Sequence, residues 1–200
     1  MSAIGVLPVF PLNAVVFPGE SLFLHIFEPR YRQLVKDLQE GQHSFGIPYV
    51  YNQKVKEFGV EATLKAIHKI YPGGEMDIEV LGSGSFGVDE IFSSEAKQYS
   101  FGRIYRTNST EPGSHEMESI TPLVMEYLAL RKGEPVKLSS QSKSSFYEAA
   151  VLLNLHPDKK YELMTQDGPR AKSTWLKNEL RILLQSRKME IQLQKNFVFN

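Results

Sequence analysis

Residues 7–38, LPVFPLNAVVFPGESLFLHIFEPRYRQLVKDL, impose the tightest constraint on what this chain can fold into. Two short apolar strands, separated by Pro18-Gly19, run directly into a helix whose start is set by a proline. Ser21 to Phe27 is a near-continuous apolar run, the pattern of a strand buried on both faces, and Pro-Gly before it is strong turn chemistry. At Glu28 the period changes. Pro29 suits the first helical position, because its missing N–H would have had no intrahelical acceptor, and Tyr31, Leu34, Val35 and Leu38 follow at i, i+3, i+4 and i+7. Gly41 closes the helix. Glu28 is positioned to accept from helix-start amides, Tyr31 opens the buried stripe, and Arg30 faces away from it, ready to clamp a carboxylate elsewhere in the fold or on a partner.

Up to about Arg106 the chain reads as strands. Phe45 to Tyr51, Val60 to Tyr71, Glu75 to Leu81, Phe86 to Phe92 and Tyr99 to Tyr105 are short, rich in β-branched and aromatic residues, and punctuated by glycine, which predicts a small barrel or sandwich. The polar segment from Asn108 to Glu116, with Pro-Gly at its centre, ends the strand patterning. Beyond it, Ile120, Leu123, Val124, Tyr127 and Leu128 have helical spacing, with Pro122 expected in the first turn and Ser119 as cap. LRKGEPVKLSSQSKSS reads as a linker. Helices are expected over Ser145–Leu155, Pro157–Thr165 and Pro169–Lys195, the last with Trp175, Leu176, Leu180, Leu183 and Leu184 as its apolar stripe. The resulting division is a β-rich subdomain over 1–107 and a helical one over 117–200.

Charge narrows the functional classes. Acidic and basic residues number 23 each, which removes any global argument for nucleic acid or an anionic membrane. Their distribution is uneven: Glu75 to Glu95 holds six acidic residues and no basic one, whereas Arg170 to Asn200 holds seven basic and two acidic. These are either a solvated acidic hairpin and helix face, or surfaces for intramolecular docking or a charged partner. The absence of cysteine excludes disulfides and thiol chemistry and fits a reducing compartment. No apolar run is long enough to cross a bilayer and no leader pattern is seen, so the expected location is the cytoplasm. Asn108-Ser109-Thr110 reads as a polar loop rather than a glycosylation acceptor.

The motifs with catalytic or cofactor overtones fail on context. Gly82 to Gly87 satisfies Gly-x-Gly-x-x-Gly after a strand, but dinucleotide binding needs a helix there, and Phe86, Val88, Ile91 and Phe92 look like strand, so the segment reads as a glycine-rich β-turn. Gly168-Pro169-Arg170-Ala171-Lys172-Ser173-Thr174 ends like a phosphate loop but has Ala171 before the lysine and Gln166 in place of the first glycine; it reads as a helix start. The five histidines show no ligand spacing, and His25 and His68, in apolar strands, read as hydrogen-bonded structural residues. Lys143, Ser144 and Ser145 are adjacent in sequence, which does not make a nucleophile–base geometry. No catalytic residue, cofactor or metal is expected.

Pro8, Phe10, Pro11, Leu12, Phe17, Pro18, Gly19, Ile26, Phe27, Glu28, Pro29, Arg30 and Tyr31 together resemble the opening of the Lon N-terminal, or Lon substrate-binding, domain family. The resemblance continues more loosely through FGVEATLKAIHKIYPGGEMDIEVLGSGSFGVDEI and fades after Arg106. It implies an α+β fold, an N-terminal β-rich PUA-like pseudobarrel followed by a C-terminal helical subdomain, and a free-standing member lacking the ATPase and peptidase domains of Lon protease. The signature residues Phe17, Pro18, Gly19, Phe27, Glu28, Pro29, Arg30 and Tyr31 then have a mainly architectural job. The implied function is a non-catalytic module that recognises unfolded polypeptide or a protein partner through exposed apolar and aromatic surface. Tyr49, Tyr51, Phe58 and Tyr71, near strand ends and turns, are the candidates for exposed rings. The alternatives are an RNA-binding protein, since PUA-like barrels occur in such proteins and the final helix is basic, and an accessory subunit of an ATP-dependent protease. A peptidase in its own right is suggested by the family name alone.

Overall fold

The computed structural model describes residues 3–107, 110–132 and 145–198. The elements run β1 (Ala3–Pro8), β2 (Ser21–Ile26), α1 (Pro29–Gln39), β3 (Phe45–Tyr51), β4 (Lys54–Ile70), β5 (Met76–Phe92), β6 (Phe101–Arg106), α2 (Ser114–Lys132), α3 (Phe146–Leu152), α4 (Pro157–Met164) and α5 (Gly168–Val198). They form two compact units, one of Met1–Ser109 with His156–Thr165 and the other of Thr110–Leu155 with Gln166–Asn200. Helix α4, which the sequence pattern groups with the other late helices, thus packs in the first unit.

The first unit is an antiparallel sheet in the order β1-β6-β5-β4-β3, with β2 added on β5 off that path. It closes into a pseudobarrel through parallel bridges between Val9 and Gly46 and between Leu12 and Tyr49. Backbone bonds from Phe10 to Gly46 at 2.8 Å, Leu12 to Pro48 at 3.1 Å and Val50 to Leu12 at 2.8 Å make that seam. Phe17, Ile26, Phe45, Ile47, Ile78 and Phe86 are among the fully buried side chains that fill it.

Strand β5 corrects the reading of Gly82 to Gly87 as a turn. It runs unbroken for 17 residues, pairing with β2 over Met76–Leu81 and with β6 over Phe86–Phe92, while β4 lies along its other side. The glycines serve close approach: a Cβ on Gly82 would run into the Phe17 carbonyl, and one on Gly87 into the Tyr105 ring.

Helix α1 begins where Pro29 predicts and buries Tyr31, Leu34 and Val35. Glu28 differs from expectation. Its side chain caps nothing; it takes the Arg30 guanidinium at 2.9 and 2.7 Å, while its carbonyl accepts the Tyr31 and Arg32 amides. Arg30 in turn lies 4.6 Å from the centroid of Tyr31, whose ring stacks on Phe10 at 3.8 Å. Lys97 and Tyr99 donate to Asp37 at 2.8 and 2.6 Å and fix the other end of the helix. Burial acts to raise the Asp37 pKa, but these two hydrogen bonds and the lysine charge outweigh it and hold it low.

In the second unit α2 and α5 pack along each other. Helix α2 buries Ile120, Val124 and Leu128, and α5 buries Leu176, Leu180 and Leu184. Helix α2 starts earlier than the sequence suggests, so Pro122 lies inside it and Ser119 bonds the Glu116 carbonyl instead of capping. An interior proline costs about 3 kcal/mol. Burying the Ile120–Val124–Leu128 stripe offsets it, at about 1.5–3 kcal/mol for each such side chain. Ser145 caps α3 in a reciprocal capping box with Glu148, which gives this serine a structural role. Lys143, Ser144, most of the expected linker and the Asn108-Ser109 pair lie outside the described residues.

Two substitutions test this architecture by urea unfolding. Gly82→Ala is expected to destabilise by roughly 1–3 kcal/mol, because the opposing atom is backbone and cannot step aside. Pro29→Gly is expected to cost about 1–2 kcal/mol through lost helix preference and a freer unfolded chain; an unchanged midpoint would contradict the role given to either residue.

Candidate functional site

Where β5 extends past β6 it carries β2 on one side and β4 on the other, and the outer face of this three-stranded end holds the candidate site. Strand alternation sends Leu22, Leu24 and Ile26 inward and Ser21, Phe23 and His25 outward. The expectation of a strand buried on both faces is therefore wrong for β2: Phe23 is 67% exposed and Phe27, just beyond it, 59%. Ile70, at the end of β4, is also 67% exposed, but its pairing with Met76 puts it on the opposite face, with Met76 and Ile26. His25 lies between Phe27, with centroids 6.3 Å apart, and Tyr71, edge-on at 5.6 Å; Phe23 is 5.6 Å from His68.

Beneath the rings lies a compensated charge network. His25 Nδ1 is 2.7 Å from Asp77, which also accepts from the Tyr71 hydroxyl at 2.7 Å. Lys65 reaches Glu79 at 2.7 Å and Ser21 Oγ at 3.3 Å, and His68 Nε2 is 3.1 Å from Glu79. Hydrogen bonds from Lys65 and Ser21, assisted by His68, hold the Glu79 carboxyl at about 2, and those from His25 and Tyr71 lower Asp77. Arg32 donates to the carbonyls of Gly73 at 2.6 Å and Phe27 at 2.9 Å and to Glu75 at 3.2 Å, fixing the turn beside the face. Ser21 and Lys65 do not make a nucleophile and base, because Lys65 donates to Ser21 Oγ and to Glu79 rather than accepting the hydroxyl proton. Among the described residues no group of three or more His, Asp or Glu side chains is placed to hold a metal.

The acidic run of Glu75 to Glu95 is not a hairpin, although Asp89 and Glu90 are more than half exposed. It belongs mostly to one strand, and Glu75, Asp77 and Glu79 are paired as above, while Glu90 takes Arg103 at 2.9 Å. Histidines 25 and 68 are hydrogen-bonded as expected, yet both are about half exposed.

The four candidate rings separate. Tyr71 joins the face just described. Tyr49, Tyr51 and Phe58 gather instead around Tyr161 of α4, at ring distances of 6.3 Å for Tyr49–Tyr51, 5.2 Å for Tyr49–Tyr161 and 6.4 Å for Phe58–Tyr161. Tyr49 is 2% exposed and donates to Asp158, and burial together with that carboxylate raises its pKa. It anchors α4 and is not an exposed ring. Tyr51, 40% exposed, sits beside Lys56, with the ammonium 5.3 Å from its centroid. Of the signature residues, Phe17 is fully buried beneath Lys160, which also pairs with Glu20, and Gly19 adopts φ 80° and donates to Gly82 at 2.8 Å. Phe27 is the signature residue whose side chain stands in the candidate face.

Phe23 and the Lys65–Glu79–His68 group escape a reading by periodicity, because an all-apolar β2 hides its alternation. The available signal is Ser21 and His25, polar residues on the same parity as Phe23 and Phe27.

The antiparallel pseudobarrel, with a separate helical unit, defines an α+β protein of the PUA-like kind. The family model for the ATP-dependent protease La (LON) substrate-binding domain matches residues 6–174, and the chain belongs to that family. A Lon N-terminal domain protein from Xanthomonas campestris has the same fold, with TM-score 0.62 and 23% identity over 86% of this chain and 98% of that one. The N-terminal domain of a Mycobacterium avium complex Lon protease superposes with TM-score 0.55 and 12% identity over 92% of this chain and 98% of that one. A search of curated protein sequences gives no match.

The charge network fixes a pH dependence. A carboxyl lowered on folding stabilises the native state above its unfolded pKa, and that stabilisation is lost as pH falls through the folded value. For Glu79 the window runs from 4.5 down to about 2. Glu79→Gln is expected to flatten the acid limb of the stability curve in that window; an acid limb identical to that of the parent would contradict the pairing.

Proposed function

We propose that this chain is a non-catalytic recognition module that binds exposed apolar segments of polypeptide at the outer face of β2, β4 and β5. The observation that carries the reading is the pair of rings Phe23 and Phe27, 67% and 59% exposed on the same face, beside the half-exposed His25 and His68. Such clustered apolar surface marks an interaction site rather than the scattered exposure normal for a folded domain. The family supports it, since its model describes a substrate-binding domain of an ATP-dependent protease. Placement in the cytoplasm and work alongside such a protease belong to the same proposal, which the lack of cysteine favours. Among the described residues no helix is long and apolar enough to cross a membrane. The balance of charge on this face, where Lys65 and Arg32 are paired with Glu79 and Glu75, speaks against the RNA-binding alternative, because nucleic acid binding draws on an excess of positive charge.

The test uses carboxymethylated α-lactalbumin, which stays unfolded, with fluorescence anisotropy as readout. Phe23→Ser combined with Phe27→Ser is expected to weaken binding by at least about tenfold, since each ring contributes about 1.5–3 kcal/mol when buried. Thermal stability is expected to change little, because both rings are exposed in the free protein. Affinity should vary weakly with salt. Equal binding by parent and variant, or RNA affinity falling steeply with salt, would displace this reading.

A further inference from the structure

We infer that the free edge of β2 takes up an extended segment of the bound polypeptide as an additional strand, so that backbone pairing as well as ring burial holds it. The inference rests on the binding reading above and supplies its mode. The Gly82 amide donates to the Glu20 carbonyl at 3.0 Å, and the β2–β5 register continues from there without a bulge. Antiparallel alternation then assigns Leu22, Leu24 and Ile26 to the ladder with β5 and turns the N–H and C=O groups of Ser21, Phe23 and His25 outward. Among the described residues β2 pairs with β5 alone. The residues with outward backbone groups are also those whose side chains stand on the exposed face. A strand added there would place its own side chains beside Phe23 and His25.

The neighbouring edge shows what a guarded one looks like. Beyond Ala62, which pairs with Phe45, β4 has no described strand on its outer side. That stretch carries two bulges, at Lys65 and His68, and a further lysine, Lys69. Bulges and lysines are the usual means of stopping an edge from pairing. Ser-Leu-Phe-Leu-His-Ile of β2 has neither, nor a proline.

Two features specify the occupant. Only an extended backbone offers donors and acceptors at the two-residue spacing of this edge. The charge on the face is balanced, with Glu79 on Lys65, Glu75 on Arg32, Asp77 accepting from His25 and Tyr71, and Lys69 over the Tyr71 ring, so it complements a segment with uncharged, alternately apolar side chains.

The probe is a short synthetic peptide alternating leucine and threonine, in parent form and in two forms N-methylated on one or the other parity of its amides. Residue-resolved hydrogen exchange of the whole chain with saturating parent peptide is expected to slow the amides of Ser21, Phe23 and His25 by at least about tenfold, with Leu22 and Leu24 unchanged. One methylated form is expected to lose at least about tenfold in affinity while the other keeps it. Phe23→Pro, which removes an outward N–H, should lose more affinity than Phe23→Val, which keeps it. Binding with unaltered edge amides and equal tolerance of both methylated forms would overturn the added strand and leave the recognition reading standing. No binding of either the peptide or unfolded α-lactalbumin would overturn both. Edge amides protected without peptide, with a dimer in sedimentation, would show that a second copy occupies the edge, and would also overturn the inference.

Discussion

The hand-over along β5 is the constraint on which the first unit depends. One edge of this strand serves β2 at its start and β6 at its end, and between the two the chain around Phe17 must pass close by. A side chain at Gly82 would block that passage. The closed barrel and the projecting three-stranded end are therefore two halves of one ladder, and the exposed face exists because β5 and β4 run beyond the part of the sheet that closes.

That face shows how a folded unit keeps apolar surface in water without losing its shape. Its strands are held by backbone ladders and by carboxylates that each meet a cation or a hydroxyl, so the rings are not needed for stability. Phe23 and Phe27 are consequently available for the binding proposed above. On the reading proposed above, a face of balanced charge would select for apolar content more than for charge.

The signature residues do a different job. Phe17, Gly19 and Glu20 meet Gly82 on one side and Lys160 on the other, and Tyr31 meets Phe10, so the most recognisable part of the sequence is where β1, β2, α1 and α4 are tied together. Lys160 and Asp158 reach back more than a hundred residues to Glu20 and Tyr49, which is why α4 belongs to the first unit.

The sequence by itself determined what depends on neighbours along the chain. Pro29 places the start of α1, the apolar spacing of α5 marks leucines it buries, and the signature identifies the family. Tertiary structure decided what depends on partners far away. Gly82 to Gly87 looks like a turn until the Phe17 backbone and the Tyr105 ring explain why glycines are needed inside a strand. Pro122 looks like a helix start until the burial of Ile120 and its stripe outweighs its cost. Ser21 to Phe27 looks buried on both faces, because hydrophobicity records what a side chain prefers and not whether a neighbour arrives to cover it; here none of the described residues covers Phe23, and that omission makes the face.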